Sequence, residues 1–185
     1  MSTRTTRKPR AVCLRADEVR TLRDTGAVVV RRPVKPQPDP ESFVDQINEA
    51  PGWWELALLP GGFEDGGCLP LRELRCPLGA PGDRLWGKEA YGRYRGFGAR
   101  VAADAPVLYR ADLDHCGQCP CMLDGEFVRV SIREPWRSAA TMPRWASRFP
   151  RLVVASVAVE RATDGGEWEW VVRIEDKGRG EGSEK

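Results

Sequence analysis

The chain has 185 residues, of which 41% are hydrophobic and 30% are charged, and its net charge is +2. This composition is typical of one soluble globular domain and argues against a strongly basic nucleic-acid coat protein. No apolar run approaches the roughly 20 residues that span a bilayer, and the N-terminus lacks a signal-peptide core. We therefore expect a cytoplasmic protein with no membrane partner, whose six cysteines are reduced or bind metal.

A basic tail precedes the predicted domain. Residues 1–10 contain four basic and no acidic side chains, which is typical of a disordered tail that could also touch phosphate. The domain is predicted to cover residues 11–175. Periodicity and turn residues predict its first elements: a strand over 12–14, a helix over 16–24 with Val19 and Leu22 inward and Gly26 at its end, a buried strand over 27–30, a helix that begins at Ser42 and a strand over 53–59.

A turn that leads into a strand is the next feature. Pro81–Asp83 supplies the fixed and the permissive φ angles that a turn needs. In the strand that follows, alternation places Leu85, Gly87 and Glu89 on one face. Because a carboxylate on an apolar face is expected to be partly buried, Glu89 needs either a partner or a chemical role.

The C-terminal half is predicted to consist mainly of strands. The pattern predicts a strand over 107–110 and then an insertion over 111–135, in which 126–132 is predicted to be a strand. After the insertion it predicts a central strand over 151–160, a hairpin turn over 163–166, a closing strand over 167–175 and a disordered tail over 176–185. These elements predict an α+β fold, either a small β-barrel or a curved mixed sheet with a few short helices.

The segment Met142–Arg148 interleaves two arginines with a tryptophan and a methionine. This combination suits phosphate contact together with stacking on a flat ring. Arg144 and Arg148 could clamp phosphate while Trp145 stacks a base, or Trp145 could fill the core while the arginines cap its rim. We favour Trp145 in the core and Arg144 as the ligand contact.

Two of these segments resemble a known family. Residues 76–89 and 142–148 resemble the signature blocks of phage and bacterial ASCH-domain proteins, which belong to the PUA-like superfamily. Residues 31–36 resemble a third block of that family, and residues 168–174 are similar to its tryptophan-rich closing strand. The resemblance implies a PUA-like fold and, for a phage-encoded protein, a place in the host cytoplasm.

The resemblance also implies which chemistry is missing. Family members that hydrolyse acylated cytidines are thought to use a lysine, a threonine and a glutamate. By position the glutamate falls on Glu89, whereas the lysine and the threonine fall on Ala27 and Val30, which can neither move a proton nor attack. A histidine common in the family is Thr141 here. The resemblance therefore implies binding without catalysis.

We expect a pocket that binds RNA or a modified nucleoside. Its predicted ligand-binding residues are Arg31, Lys88, Glu89, Arg144, Trp145 and Arg148. One alternative is a nucleoside amidohydrolase or a ribonuclease with a rearranged site, in which Glu89 would be catalytic. Another is a phage factor that acts on a protein partner. Glu89 could also simply pair with a core arginine such as Arg31 or Arg84.

A cysteine-rich stretch lies in the insertion. Cys116, Cys119 and Cys121 follow His115 within seven residues, and one Cys-x-x-Cys is a half-site for zinc. A second pair is not obvious, so reduced thiols are the alternative. We expect that the function requires no cofactor and that a zinc ion, if bound, would only stabilise the insertion.

Overall fold

A computed structural model describes residues 8–38, 42–46, 53–58, 70–93, 107–114, 118–123, 126–131, 136–162 and 166–178. These residues form an α+β structure with one α-helix, twelve strands and three single turns of 3-10 helix. The helix and strands are β1 (Arg10–Cys13), α1 (Ala16–Thr25), β2 (Ala27–Pro33), β3 (Ser42–Gln46), β4 (Trp53–Leu58), β5 (Pro70–Arg75), β6 (Arg84–Lys88), β7 (Tyr91–Arg93), β8 (Val107–Tyr109), β9 (Gln118–Leu123), β10 (Glu126–Ser131), β11 (Leu152–Arg161) and β12 (Trp168–Asp176). The 3-10 turns are Arg110–Asp112, Ala139–Thr141 and Arg144–Ala146. None of the described helices is long and apolar enough to cross a membrane.

Hydrogen bonding orders five strands as β1-β6-β11-β12-β2. β11 occupies the centre of this order, which confirms the central strand predicted from its two apolar sides. The sheet is open, because no pairing between β1 and β2 closes it within the described residues. The predicted α+β class is therefore confirmed, whereas the predicted barrel is not. Smaller sheets are β3-β4-β5, β7-β8 and β9-β10.

The described residues divide into two compact units. The first consists of the described residues within Met1–Arg10, Val29–Leu85 and Val153–Glu175, and the second consists of those within Ala11–Val28, Trp86–Leu152 and Asp176–Lys185.

In the first unit, β3, β4 and β5 form an antiparallel sheet. Ser42–Gln46 is a strand, so the predicted helix at Ser42 is wrong. The reason is tertiary: all five residues pair with β4, from Ser42 opposite Leu58 to Gln46 opposite Trp54. This strand pairing gives hydrogen-bond partners to backbone N–H and C=O groups, many of which a short helix would leave without partners at its ends. β12 follows its prediction closely, with Trp170, Val172 and Ile174 buried.

In the second unit, α1 matches its sequence prediction. Val19 and Leu22 are fully buried. Gly26 ends the helix at φ +77°, and its N–H donates to the carbonyl of Leu22. At the start of the helix, the Glu18 carboxylate accepts from the backbone N–H of Arg15 at 2.7 Å. These caps satisfy backbone groups that the helix itself leaves open at its two ends.

The predicted insertion contains a hairpin, of which the sequence predicted one strand. β10 agrees with its predicted strand, and it pairs antiparallel with β9, which was not predicted. The Cys-Pro-Cys sequence of β9 has no apolar alternation and contains a proline, which normally argues against a strand. Cys119 and Val130 pack with Leu108 in a small core cluster that Leu113 and Trp136 adjoin.

Candidate functional site

Glu89 is buried and tightly paired. It directly follows β6, on the face shared with Leu85 and Gly87, and only 3% of it is exposed, which confirms its predicted burial. Its carboxylate accepts two hydrogen bonds from one guanidinium: Arg148 Nε donates to Oε1 at 2.9 Å and Nη2 donates to Oε2 at 2.8 Å. The partner is therefore Arg148, and neither Arg31 nor Arg84 takes that role. Such bidentate pairs are stronger and more directional than single contacts.

Arg148 extends this pair into a network of four charges. Its Nη1 donates to Asp112 Oδ2 at 2.7 Å, and Arg23 Nη1 donates to Asp112 Oδ1 at 3.0 Å. Arg23, which is exposed, also pairs with Asp24 at 3.0 Å. We call Glu89, Arg148, Asp112 and Arg23 the buried ion network, after its buried Glu89–Arg148 pair. It links α1 to the end of β6 and to the segment that carries Arg148.

Aromatic and backbone contacts hold the same segment in place. The Arg148 guanidinium lies 4.4 Å from the centre of the Tyr109 ring, and Tyr109 Oη donates to the Ala146 carbonyl at 2.9 Å. Ser147 Oγ donates to the Gly87 carbonyl at 2.6 Å. The turn Arg144–Ala146 is therefore anchored directly at its last residue and through the two residues that follow it.

Burial and hydrogen bonding act differently on the two partners. Desolvation raises the pKa of Glu89, and the hydrogen bonds from Arg148 oppose this shift only in part. Burial acts to lower the pKa of Arg148, but hydrogen bonds to Asp112 and Glu89 outweigh it and raise that pKa. The difference has a physical cause, because the Arg148 side chain is 23% exposed and has two carboxylate partners, whereas that of Glu89 is 4% exposed and has one cationic partner.

Trp145 lies on the surface, with 66% of the residue exposed. Our expectation that its ring fills the core is therefore wrong. The 3-10 turn explains the error, because it directs Ala146 inward, where Ala146 and Met142 pack with Tyr91. The Arg93 guanidinium lies 5.2 Å from the centre of the Trp145 ring.

Two more predicted ligand residues belong to this second unit. Arg144 is exposed and lies in the same 3-10 turn as Trp145. Lys88 is half-buried, its Nζ donates to the Ala140 carbonyl at 2.7 Å, and the same atom lies 5.2 Å from the centre of the Trp86 ring. We call Trp145, Arg144 and Arg93 the exposed tryptophan surface.

Arg31 belongs to the first unit. Its exposed guanidinium pairs with Glu160 at 3.1 Å and with Glu169 at 3.5 Å. These contacts occupy it with carboxylates of its own unit, as expected for a solvated ion pair on the rim of a sheet.

A surface cavity of about 460 Å³ adjoins the buried ion network. Its lining residues are Arg23, Arg148, Phe149, Pro150, Arg151, Asp176 and Gly178. Of the predicted ligand residues, Arg148 lines this cavity, whereas Lys88, Glu89, Arg144 and Trp145 do not. Glu89 and Trp145 therefore do not meet in this hollow, although the sequence analysis placed them in one pocket.

The predicted zinc ligands fall mostly outside the described residues. Cys116 lies there, and Cys121 is described only in its backbone. Cys119 is buried, and its Sγ contacts the Tyr109 carbonyl at 3.4 Å. Within the described residues, no three His, Cys, Asp or Glu side chains are grouped to hold a metal ion. Zinc in the insertion stays a prediction.

Sequence reasoning missed several residues of this region: Arg23, Arg93, Tyr109 and Asp112. Asp112 contacts Arg148 from 36 positions away, inside an insertion without periodicity. Arg93 ends a three-residue strand, which is too short to show alternation. Comparisons of the chain with protein-family models, with curated proteins and with solved structures give no match.

Proposed function

We propose that the protein binds single-stranded RNA through the exposed tryptophan surface. The observation that carries this proposal is Trp145, a residue that is two-thirds exposed and has a guanidinium 5.2 Å from the centre of its ring. A tryptophan normally contributes to stability by being buried, so a ring held in water by an anchored turn is suited to contact with a partner. A base stacked on an aromatic side chain contributes about 1–3 kcal/mol.

The charge of the surrounding chain favours a polyanion. Residues 135–159 contain no acidic side chain, and they include four arginines, among them Arg144. Arg144 is exposed beside Trp145, where it can contact a phosphate next to a stacked base. Stacking on Trp145 and phosphate contact from Arg144 together form the usual combination for binding single strands without strict sequence preference.

The buried ion network supports this surface. Both carboxylate oxygens of Glu89 accept from Arg148, so the Glu89 carboxylate is occupied within the protein, and Arg148 follows Trp145 by three residues. We therefore assign Glu89 a positioning role, in which it holds the segment that presents the tryptophan. The resemblance to ASCH-domain proteins supports the same ligand class, and we propose that the sheet is of the PUA-like type.

The test is a titration of fluorescently labelled 12-nucleotide RNA followed by anisotropy. Trp145→Ala should weaken binding by about 5- to 150-fold, which corresponds to the loss of one stacked base. Trp145→Phe retains an aromatic face and should lose much less. Equal affinity of Trp145→Ala and the unchanged protein would refute the proposal.

The charge contribution has its own matched control. Arg144→Ala should weaken RNA binding several-fold and reduce its salt dependence by about one phosphate contact. Arg173→Ala removes the same charge from an exposed strand position in the first unit, and it should leave RNA binding nearly unchanged. Equal losses from both variants would indicate attraction by net charge alone.

Catalysis is tested with the same material. Incubation of the protein with labelled RNA and with an acylated cytidine, followed by product analysis, should leave both unchanged. Ala27 and Val30 supply neither a base nor a nucleophile at the positions where the family resemblance places them. Turnover of either compound would replace the binding proposal with an enzymatic one.

A further inference from the structure

A second tryptophan of the second unit carries a cation on its ring. Trp86 and Lys88 lie two residues apart on β6, so they share the face opposite to the buried Leu85 and Gly87. Trp86 is half-buried, and Lys88 Nζ lies 5.2 Å from the centre of its ring. This arrangement repeats the one at Trp145, where Arg93 is the cation.

The backbone ties the two tryptophans to one stretch of chain. Lys88 Nζ donates to the carbonyl of Ala140, and Arg144 follows Ala140 by four residues. Four residues span at most about 14 Å, so Ala140 and Arg144 lie within that distance of each other. In a stacked strand, where phosphates are about 3.4 Å apart along the axis, the same distance corresponds to at most about four nucleotides.

The N–H donors of Lys88 suit a contact with a phosphate of a strand that lies between Ala140 and Arg144. An ammonium group has three N–H donors, and the contact with Ala140 uses one of them. Among residues 84–93 and 136–148 the sole acidic side chain is Glu89, which is buried and paired with Arg148. A phosphate near Lys88 and Arg144 therefore meets no exposed carboxylate from these two segments.

We propose that the ligand is an oligonucleotide of at least two nucleotides, with one base on Trp145, another on Trp86, and the connecting phosphates at Arg144 and Lys88. This inference rests on the proposed RNA binding, and it specifies the ligand as a strand and excludes a free nucleoside. Two linked contacts bind more tightly than either contact alone, because the second contact forms within one molecule. Affinity should therefore depend steeply on length up to about four nucleotides.

The experiment measures binding of labelled uridine 5′-monophosphate and of oligouridylates of two, four and eight nucleotides. We expect affinity to rise at least tenfold from the mononucleotide to the tetranucleotide and less than threefold from there to the octanucleotide. Equal affinities for the mononucleotide and the tetranucleotide would overturn the inference, even where Trp145→Ala still weakens binding. Failure of every probe to bind, or no effect of Trp145→Ala, would instead overturn the proposed function and this inference with it.

Variants at the second position identify the contacts. Lys88→Met retains the apolar stem and should weaken tetranucleotide binding about three- to tenfold. Lys88→Arg should restore most of that loss. Trp86→Leu should act like Lys88→Met, and Trp86→Phe, which keeps an aromatic ring, controls for packing. A tetranucleotide affinity unchanged in both Lys88→Met and Trp86→Leu would exclude the second stacking position.

Discussion

Arg144 and Arg148 are four positions apart in one short motif, yet their surroundings are opposite. Arg148 donates three hydrogen bonds to the carboxylates of Glu89 and Asp112 and lies against the Tyr109 ring. Arg144 is exposed beside Trp145. The same residue type therefore stabilises the fold at one position and is available for a partner at the other. The difference comes from the carboxylates that distant parts of the chain bring to Arg148.

This comparison separates stability from binding. Removal of one member of a buried ion pair leaves the other with an uncompensated charge, which is costly. Removal of an exposed side chain without such a partner usually changes stability by less than about 0.5 kcal/mol. Variants of the buried ion network should therefore unfold more easily, and variants of the exposed tryptophan surface should fold normally and bind RNA poorly.

The largest effect is expected from Glu89→Ala. The change leaves Arg148 without its bidentate partner and should lower the free energy of unfolding by about 3 kcal/mol. This value is at the lower end of the usual cost of removing one partner of a buried ion pair, because Arg148 still pairs with Asp112 and is partly exposed. Urea unfolding followed by circular dichroism measures the loss.

The matched control is Glu160→Ala, which removes an exposed glutamate paired with an arginine. Surface pairs of this kind contribute about 0–1 kcal/mol. Equal losses of stability in Glu89→Ala and Glu160→Ala would show that the buried ion network does not support the fold.

A somewhat smaller loss is expected from Gly87→Ala. A Cβ at this position would lie 3.1 Å from Leu14 Cδ1, 3.1 Å from Phe149 Cβ and 3.4 Å from Leu152 Cδ1. Overpacking of this kind costs about 1–3 kcal/mol. Thermal unfolding should show the loss, and Leu14→Val in the same protein should recover part of it by removing a crowded methyl group. Additive effects of the two changes would contradict the packing argument.

Several elements of this fold were predictable because local sequence determines them. The helix over 16–24 shows inward Val19 and Leu22 at helical spacing, and Gly26 supplies the left-handed residue at its end. The buried face of β6 follows from alternation, and so does the burial of Glu89. These features depend on residues a few positions apart.

The remaining features depend on contacts between distant residues. Arg148 reaches Glu89 across 59 positions, and nothing in the local pattern distinguishes it from Arg31 or Arg84 as a partner. Trp145 gives the same local signal in the core and on the surface, since energies of stacking and of burial are similar. Its exposure follows from the 3-10 turn, which directs the neighbouring Ala146 toward Tyr91.

Glu89→Gln should change the free energy of unfolding by a moderate amount that depends on pH. Burial raises the pKa of Glu89, so the folded protein holds this proton to a higher pH than the unfolded chain does. The stabilisation linked to the Glu89 proton is therefore fully present below the unfolded carboxyl pKa, about 4.3, and is lost as pH rises through the folded value, above which the ion pair with Arg148 remains.

The measurement compares urea unfolding of the unchanged protein and of Glu89→Gln at several pH values. In this comparison the effects of the other carboxylates on the pH dependence of stability cancel. The advantage of the unchanged protein should narrow as pH rises above about 4.3. An advantage that widens with pH would mean that Arg148 lowers the pKa of Glu89 by more than burial raises it.

The smallest effects on stability are expected at the exposed tryptophan surface. Arg144→Ala and Trp145→Ala should each change the free energy of unfolding by less than about 0.5 kcal/mol, because both side chains already lie largely in water. The same preparations should lose RNA affinity. A loss above about 2 kcal/mol in Trp145→Ala would show that the ring stabilises its turn through Arg93, and its exposure would then no longer indicate a binding surface.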